Sequence, residues 1–274
     1  MEISEEEVMS LSSAIQKRYG VDFTCYEIKS LKRRIIRIIN VYKFNSIFEL
    51  WQKVLTDPSF VQTFKNEVSV GLTAMMRDPQ LWVFLKAYLD DYLNKNGSLK
   101  VWHAGCSTGE EVYSLGMVLQ EIDGAHKTKR LATDLSSRSI ATAKEGIYQL
   151  PLLKDYKLNY NVYNKFSNFE KYYETVDAKH FKMNPDLLQN VEFLDHNLVT
   201  DEYPKGFDVI FCRNVLIYFD AETKLKVLRQ FHKSLKKGGI LIIGFFDSFI
   251  PFNKEKIFEY LDTDVRVLMK KEED

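Results

Sequence analysis

The spacing of apolar positions divides the chain into two unlike parts. Up to about Thr73, apolar residues recur every three or four positions, a period that is typical of amphipathic helices. The helices that this period predicts cover residues 5–19, about 26–43, 46–55 and 58–69. Residues 1–73 are therefore predicted to form an all-helical domain.

From residue 74 to residue 274, short apolar runs alternate with helical periodicity. After a helix predicted at 79–94, the predicted strands are 99–104, 130–134, 191–194, 207–212, 239–246 and 265–270. The helices predicted between them are 110–121, 136–145 and 221–235. Such alternation is typical of a mostly parallel sheet with helices on both of its faces.

The segment between residues 148 and 190 breaks this alternation and is rich in Tyr and Asn. A structureless stretch of that length is uncommon in a compact domain. An inserted subdomain is therefore predicted over about 149–190.

The loop after the first predicted strand carries the candidate chemistry. It is flanked by Gly105 and Gly109, and the helix that follows begins with Glu110 and Glu111. Glycines permit a tight turn and the close approach of a ligand. Asp134 ends the next predicted strand, where a carboxylate can bind the two hydroxyls of a ribose. Together these features predict a site for a nucleoside-containing cofactor.

The spacing of the glycines narrows the choice of cofactor. It matches neither a dinucleotide-binding fingerprint nor a phosphate-binding loop, and no Lys follows the second glycine. Two acidic residues at the helix start would repel a pyrophosphate. S-adenosylmethionine carries a sulfonium and an ammonium and no phosphate, so it suits this loop better. The alternative is a glycine turn that only packs a helix on a sheet.

At these residues the sequence resembles the CheR family, the chemotaxis receptor methyltransferases that esterify glutamates on bacterial chemoreceptors. The matching segments are 71–78, 103–114, 132–134, 143–148 and 207–219, of which 207–219 is the most specific. The resemblance implies the α/β fold of class I S-adenosylmethionine-dependent methyltransferases. That fold is Rossmann-like, with a mostly parallel sheet and an antiparallel last strand, here 265–270.

The resemblance also implies roles for individual residues. Those implied at the cofactor are Thr73, Arg77, Gly105, Glu111, Asp134, Asn197, Leu198, Arg213 and Asn214. Arg77 and Tyr218 are implied as catalytic residues that position the acceptor carboxylate. Three alternatives stay open: a salt bridge of Arg77 with Asp78, a packing role for Tyr218, and a turn role for Asn197.

The second predicted helix has a basic face. Lys29, Arg33, Arg34 and Arg37 are predicted to lie opposite its apolar residues. Many amphipathic helices have such a face simply because it is solvated. The resemblance implies instead that this face docks on the acidic methylation region of a chemoreceptor coiled coil.

Composition favours a cytoplasmic protein. Lys plus Arg and Asp plus Glu both number 38, which gives no general attraction to nucleic acid or membranes. The three cysteines are far apart and form no C-x-x-C pair, which favours reduced thiols over disulfides or a zinc site. The longest apolar run, 240–246, is far shorter than the roughly 20 residues that cross a bilayer. The histidines have no metal-ligand spacing, so we expect no metal, and we expect a monomer.

The chain departs from the family pattern at several positions. Gly71 stands where many relatives carry Asn, Met75 and Met76 replace aromatic residues, and 244–248 has lost polar groups. No glycine occurs between Phe166 and Asn190, so we expect no grip on a receptor C-terminal pentapeptide. These departures leave a rival hypothesis, in which a catalytically weak homologue binds the cofactor or S-adenosylhomocysteine and regulates a signalling partner. A methyltransferase for another acceptor is the second rival.

Overall fold

The N-terminal part of the protein is a bundle of helices. The computed structural model describes residues 3–68, 73–247 and 256–271. The helices of the first part are α1 (Glu5–Tyr19), α2 (Ile28–Val41), α3 (Ile47–Thr56) and α4 (Pro58–Val68). Ser4 and Glu7 form a capping box that pairs the first backbone N–H groups of α1. The predicted helices are thus confirmed, and α2 is shorter at both ends than predicted.

The apolar faces of these helices share one core. Its fully buried members include Leu11, Ile15, Leu31, Ile35, Ile38 and Leu50. Burying an aliphatic side chain contributes roughly 1.5–3 kcal/mol, so the pattern of apolar positions accounts for the packing of this bundle.

A short extended segment, residues 25–27, pairs the helical bundle with the loop that carries Tyr218. The Glu27 backbone N–H donates to the Tyr218 carbonyl at 2.8 Å, and the Asp220 N–H donates to the Cys25 carbonyl at 2.9 Å. The start of α2 is therefore held beside the loop that carries Tyr218. This pairing explains why α2 begins at Ile28 and not at residue 26.

The second part is a three-layer α/β domain. It begins with α5 (Pro79–Asn96), and its sheet strands are β1 (Leu99–Ala104), β2 (Thr128–Asp134), β6 (Val191–Asp195), β7 (Phe207–Cys212), β8 (Leu235–Ile243), β9 (Phe258–Asp262) and β10 (Val267–Lys270). The helices between the strands are α6 (Glu110–Glu121), α7 (Ser137–Glu145) and α9 (Ala221–Ser234). The strand order is β6-β2-β1-β7-β8-β10-β9.

The strand directions agree with the predicted fold class. The pairs among β6, β2, β1, β7 and β8 are all parallel. The last strand, β10, runs antiparallel to both β8 and β9. A mostly parallel sheet with an antiparallel last strand is confirmed, as is the helical domain that precedes it.

Two strand predictions differ from the structure. β8 covers Leu235–Ile243 and not 239–246. It ends at Ile243 because the chain turns at Gly244 into a loop held by side-chain hydrogen bonds. The edge strand β9 was missed. It has only five residues and pairs with β10 alone, so little of its sequence is constrained by a buried face.

The predicted insert is a small subdomain of its own. It contains β3 (Ile147–Gln149), α8 (Leu153–Tyr163), β4 (Tyr173–Thr175) and β5 (His180–Met183), with the strands in antiparallel order β3-β5-β4. Its core is aromatic, and the Phe181 ring lies 5.7 Å from that of Tyr148 and 6.2 Å from that of Tyr156.

Candidate functional site

A cleft lies where the loops after β1, β2, β6 and β7 converge, at the carboxyl ends of these strands. Open α/β sheets bind ligands at this edge. The structure brings to this cleft all the residues predicted at the cofactor, which are Thr73, Arg77, Gly105, Glu111, Asp134, Asn197, Leu198, Arg213 and Asn214. Tyr218 lies in the same wall. Further lining residues without a predicted cofactor role are Tyr26, Arg34, Leu135, His196, Val215 and Phe219.

The glycine loop owes its shape to backbone conformations that other residues resist. Gly105 has φ 83° and Gly109 has φ 94°. A Cβ on Gly105 would lie 2.5 Å from Val215 Cγ2, and one on Gly109 would lie 2.9 Å from Ala143 Cα. The Gly105 N–H donates to the Thr133 carbonyl at 2.8 Å. The loop is therefore pressed against the sheet, with no room for larger residues.

Asp134 lies at the end of β2, facing the cleft. Each of its carboxylate oxygens accepts one backbone N–H, from Ser107 at 2.8 Å and from Ser136 at 2.9 Å. Burial raises the pKa of Asp134, and these hydrogen bonds oppose that rise. A carboxylate has about four lone-pair sites, so its oxygens retain capacity for two further donors, as a ribose would supply.

Glu111 is held between two basic side chains. Its Oε1 lies 2.9 Å from His103 Nδ1, and its Oε2 accepts from Arg213 at 3.3 Å. Burial alone would raise the pKa of Glu111, but His103 and Arg213 hold it below its ordinary value. The His103 ring is fully buried and stacks 4.7 Å from Phe211. A carboxylate fixed in this way presents negative charge to the cleft.

The neighbouring acid, Glu110, points away from the cleft. Its carboxylate accepts from Thr108 Oγ1 at 2.7 Å and from the Tyr156 hydroxyl at 3.1 Å. Burial raises its pKa. The two acids of the motif therefore differ in role, since Glu110 contacts the insert and Glu111 contacts the cleft.

Arg213 links the cleft wall to the start of α5. It pairs with Asp78 at 2.5 Å and donates to the Arg77 carbonyl at 3.2 Å. Trp82 Nε1 also donates to that carbonyl, at 3.0 Å. Asp78 is thus a partner of Arg213, and the backbone at Arg77 is held from two sides.

A residue that the sequence analysis passed over, Asp247, organises the loop after β7. Its Oδ2 accepts from the backbone N–H of Asn214 at 2.6 Å and of Gly244 at 2.8 Å, and its Oδ1 accepts from Ile217 N–H at 3.0 Å. Asn214 has a left-handed backbone, with φ 59°. The feature of the sequence that could have identified Asp247 is the presence of an acid just after the end of β8. Asp247 therefore sets the position of Asn214. It also sets that of Tyr218, which directly follows Ile217.

Asn197 has the turn role that the sequence left open as an alternative to cofactor binding. Its Oδ1 accepts from Val199 N–H at 2.9 Å, and its own N–H donates to Asp201 at 2.8 Å. Leu198, which is buried, adds an apolar side chain to the cleft. Asn197 forms the turn and lines the cleft at the same time.

The predicted basic face of α2 is correct for three of its four residues. Lys29, Arg33 and Arg37 are exposed, and Arg37 lies 3.7 Å from Glu67. The placement of Arg34 on this face is wrong, since only 7% of its surface is exposed. Position 34 is three residues after one core residue of α2, Leu31, and four before another, Ile38, so helical geometry places it on the buried side.

Two positions at which the chain departs from the family pattern, Gly71 and Ser248, lie outside the described residues. Among residues 3–68, 73–247 and 256–271, no group of three or more His, Cys, Asp or Glu side chains is arranged to hold a metal ion. Over the same ranges, no helix is both long and apolar enough to cross a bilayer.

The donor set of the cleft fits a nucleoside with a positively charged tail. Asp134 can accept from ribose hydroxyls, and Glu111 can face a cationic group. Apolar surface for a base is available from Leu198 and Val215. Among the described residues, no lysine lines the cleft, so this part of its wall is poorly suited to phosphates.

Both parts of the chain match families of known proteins. Residues 6–69 match the family described as CheR methyltransferase, all-alpha domain. Residues 71–267 match the family described as CheR methyltransferase, SAM binding domain.

Individual relatives are similar over most of their length. The Cher3 protein of Pseudomonas putida is 35% identical over 238 residues, which are 87% of each chain. A Listeria innocua protein named chemotaxis protein methyltransferase is 32% identical, covering 88% of this chain and 89% of that one. The Escherichia coli protein of the same name is 28% identical, covering 90% and 86%. The chain therefore belongs to the CheR methyltransferase family, and S-adenosylmethionine is the cofactor of its α/β domain.

Proposed function

We propose that the protein methylates glutamate side chains on the cytoplasmic part of a bacterial chemoreceptor, giving glutamate methyl esters and S-adenosylhomocysteine. The observation that carries the proposal is the distribution of charge in the cleft. Carboxylates line the side where the cofactor is expected, and a guanidinium and a phenol, Arg77 and Tyr218, line the same cleft. The names of the Listeria innocua and Escherichia coli relatives support a chemotaxis role.

The reaction makes modest demands on acid–base chemistry. Bound S-adenosylmethionine supplies a methyl group on a positive sulfur, and transfer forms one carbon–oxygen bond and breaks one carbon–sulfur bond without releasing a proton. A glutamate with a pKa near 4.3 is already ionised at neutral pH, so no side chain must act as a base. The protein has to align the reacting groups and exclude water.

On the cofactor side, three side chains have distinct tasks. Asp134 accepts from the ribose hydroxyls, Glu111 faces the ammonium group, and Asn214 binds the polar end of the methionine portion. Gly105 lets the loop approach closely. The fixed partners of Glu111 and Asp134 mean that both carboxylates are oriented before the cofactor arrives.

On the acceptor side, Arg77 and Tyr218 orient the incoming carboxylate. A guanidinium offers a planar set of donors that matches a carboxylate. Pairing that is too strong would weaken the nucleophile, so the role of Arg77 is positioning and not neutralisation. The Tyr218 hydroxyl adds a single hydrogen-bond donor.

The exposed face of α2 docks the substrate. Lys29, Arg33 and Arg37 present positive charge to solvent, which complements the acidic methylation region of a receptor coiled coil. Attraction between exposed charges is screened beyond about 10 Å at 0.1 M salt, so this docking weakens as salt is added. We propose that the protein acts as a monomer in the cytoplasm, without the receptor pentapeptide.

The test is methyl transfer from radiolabelled S-adenosylmethionine to receptor-enriched membranes, scored as methanol released by alkali. Asp134→Ala removes the ribose acid, and we expect a loss of counts of at least about 100-fold, as for a buried charge-assisted contact. Asp123→Ala is the matched control, because the Asp123 side chain is 95% exposed. We expect it to retain wild-type counts.

Other outcomes point to the rival functions. Cofactor binding without volatile counts would contradict the proposal and favour a regulatory module. Label that is transferred but stable to alkali would mean a nitrogen or carbon acceptor.

A further inference from the structure

Two adjacent phenylalanines, Phe245 and Phe246, lie exposed just after β8, at the carboxyl edge of the sheet. Of the Phe245 surface 46% is exposed, and of the Phe246 surface 77%. Aromatic residues are enriched where one protein binds another, and apolar residues grouped on a surface mark such contacts more than single ones do. Packing within the protein does not account for this pair, so its position relative to the cleft decides what it can do.

The turn that carries the two phenylalanines is fixed to the wall of the cleft. The Asp247 N–H donates to the Gly244 carbonyl at 3.0 Å, which closes a β-turn with both rings at its tip. The Asp247 carboxylate, which is buried, accepts from the N–H groups of Gly244 at 2.8 Å and Asn214 at 2.6 Å. Because Asn214 lines the cleft, the phenylalanines stand at its rim on a backbone that these hydrogen bonds hold in place.

The place of this turn along the sheet assigns it to the acceptor and not to the cofactor. Asp134 and Asn197, which are expected at the cofactor, follow β2 and β6 at one end of the strand order. Tyr218, proposed at the acceptor, follows β7, and the turn follows β8, the next strand along. A substrate segment that presents its glutamate at Tyr218 and extends away from the cofactor therefore lies over the end of β8.

A cation beside the phenylalanines gives this surface a charge as well. The guanidinium carbon of Arg266 lies 5.9 Å from the centre of the Phe245 ring. The Arg266 carbonyl accepts from the Ile243 N–H at 3.2 Å, which places this residue at the same end of β8. Apolar surface next to positive charge complements a segment that carries glutamates among apolar residues, which is the kind of segment that the proposed function requires.

We propose that Phe246, at the tip of the turn 244–247, packs against the receptor segment that carries the acceptor glutamate and so aligns that segment over the cleft. This inference rests on the proposed function and adds an apolar contact to it. Unlike attraction between exposed charges, such a contact is not screened by salt. A turn held at both ends also loses little freedom when the partner binds.

The experiment compares Phe246→Ser and Phe246→Leu in steady-state methylation of receptor-enriched membranes, scored as methanol released by alkali. Calorimetry gives the affinity for S-adenosylhomocysteine, and thermal denaturation gives the melting temperature. Phe166→Ser is the matched control, because Phe166 is a fully exposed phenylalanine of the insert, between α8 and β4. Sedimentation of each protein with vesicles of the same lipids, without receptor, separates binding to lipid from binding to the receptor.

We expect Phe246→Ser to raise KM for the receptor by about 5- to 30-fold, as for the loss of one aromatic contact at an interface. The loss should fall on KM and not on kcat, and it should be equal at low and high salt. The affinity for S-adenosylhomocysteine and the melting temperature should stay near wild type. Phe246→Leu should show a smaller rise in KM, and Phe166→Ser should match wild type throughout.

Several results would overturn the inference. Equal KM for wild type and Phe246→Ser would remove Phe246 from the substrate site, and an equal rise in Phe166→Ser would mean unspecific apolar attraction. A parallel loss of S-adenosylhomocysteine affinity would place Phe246 at the cofactor, and a lowered melting temperature would make it structural. Weaker sedimentation of Phe246→Ser with receptor-free vesicles would make lipid its partner.

Failure of the inference can be told from failure of the proposed function. A wild-type protein that releases methanol, with an unchanged KM in Phe246→Ser, rejects the contact alone. A wild-type protein that gives no alkali-released methanol rejects the proposed function, and the inference with it.

Discussion

Glu111 and Glu121 lie at opposite ends of α6, and both are largely buried carboxylates with a pKa held below its ordinary value. Their partners differ. Glu111 is paired with His103 and Arg213 and faces the cleft. Glu121 is bound mostly by neutral donors of the insert, which are the hydroxyls of Tyr160, Tyr163 and Tyr172 and the amide of Asn164, and by Lys86.

The difference teaches how one helix serves two purposes. At its first turn, a carboxylate between basic groups keeps a charge directed at the cleft. At its last turn, a carboxylate surrounded by hydroxyls ties the insert to the main domain, with distances of 2.7 Å to Tyr160 and 2.9 Å to Tyr163. The first arrangement is suited to binding a ligand, and the second to holding two parts of the fold together.

The largest expected effect tests the cleft end of this comparison. Glu111→Gln removes the charge that faces the cleft and leaves Arg213 with Asp78 alone. We expect S-adenosylhomocysteine to bind about 10- to 100-fold more weakly in calorimetry, because a charge-assisted interaction is lost. An unchanged dissociation constant would mean that Glu111 serves only to hold Arg213.

At the other end of α6, Glu121→Gln should act on stability and not on binding. An amide cannot accept all the hydrogen bonds that the carboxylate accepts, so we expect the free energy of unfolding to fall by about 1–3 kcal/mol. Urea denaturation measures this loss. The dissociation constant for S-adenosylhomocysteine should equal that of wild type, and a weaker affinity would contradict the separation of the two roles.

The pH dependence of the unfolding free energy, compared between wild type and Glu121→Gln, sharpens this prediction. The pKa of Glu121 is below its ordinary value of 4.5 in the folded protein, since Lys86 and the tyrosine hydroxyls outweigh burial. A depressed folded pKa contributes stability above the unfolded pKa, and that contribution is lost as pH falls through the folded pKa. The gap in unfolding free energy between wild type and Glu121→Gln should therefore be full at pH 7 and shrink below about pH 4.5. A gap that is constant down to pH 3 would contradict this assignment.

The smallest effect is expected from Lys86→Met. Lys86 Nζ lies 2.7 Å from Glu121, but the lysine side chain is 39% exposed. Solvent screens such a pair, so we expect a loss of about 0–1 kcal/mol in unfolding free energy. A loss as large as that of Glu121→Gln would show that the lysine, and not the tyrosine hydroxyls, holds this carboxylate.

Much of the fold could be predicted because it depends on local patterns. Short apolar runs predicted the sheet strands β1, β2, β6 and β7, and helical spacing predicted the helices of the first domain. The short strands β3, β4 and β5 of the insert were not predicted individually. The edge strand β9 was missed, since it is short and has one neighbour. The end of β8 was placed too late, because the apolar run continues past Gly244. There Asp247 turns the chain by accepting the Gly244 N–H and, from the loop after β7, the N–H groups of Asn214 and Ile217.

The candidate site divides in the same way. Gly105, Glu111 and Asp134 stand next to strand ends, so their meeting at one edge of the sheet follows from the parallel topology. Arg34 could not be assigned to the cleft by this logic, because it comes from the other domain. Asp247 accepts from backbone N–H groups 33 and 30 residues away. An acid just after the end of β8 was the local signal, but it does not identify those partners.

The sequence by itself determined the two-part architecture, the glycine loop and the acid at the end of β2, because periodicity and residue type constrain each of these within a few positions. Only the tertiary structure decided that Glu110 contacts the insert, that Arg34 points inward beside Tyr218, and that Glu121 binds the tyrosine hydroxyls of the insert. The physical reason is burial. Which charges leave water, and which partners then compensate them, depends on surfaces that come together only when the chain has folded.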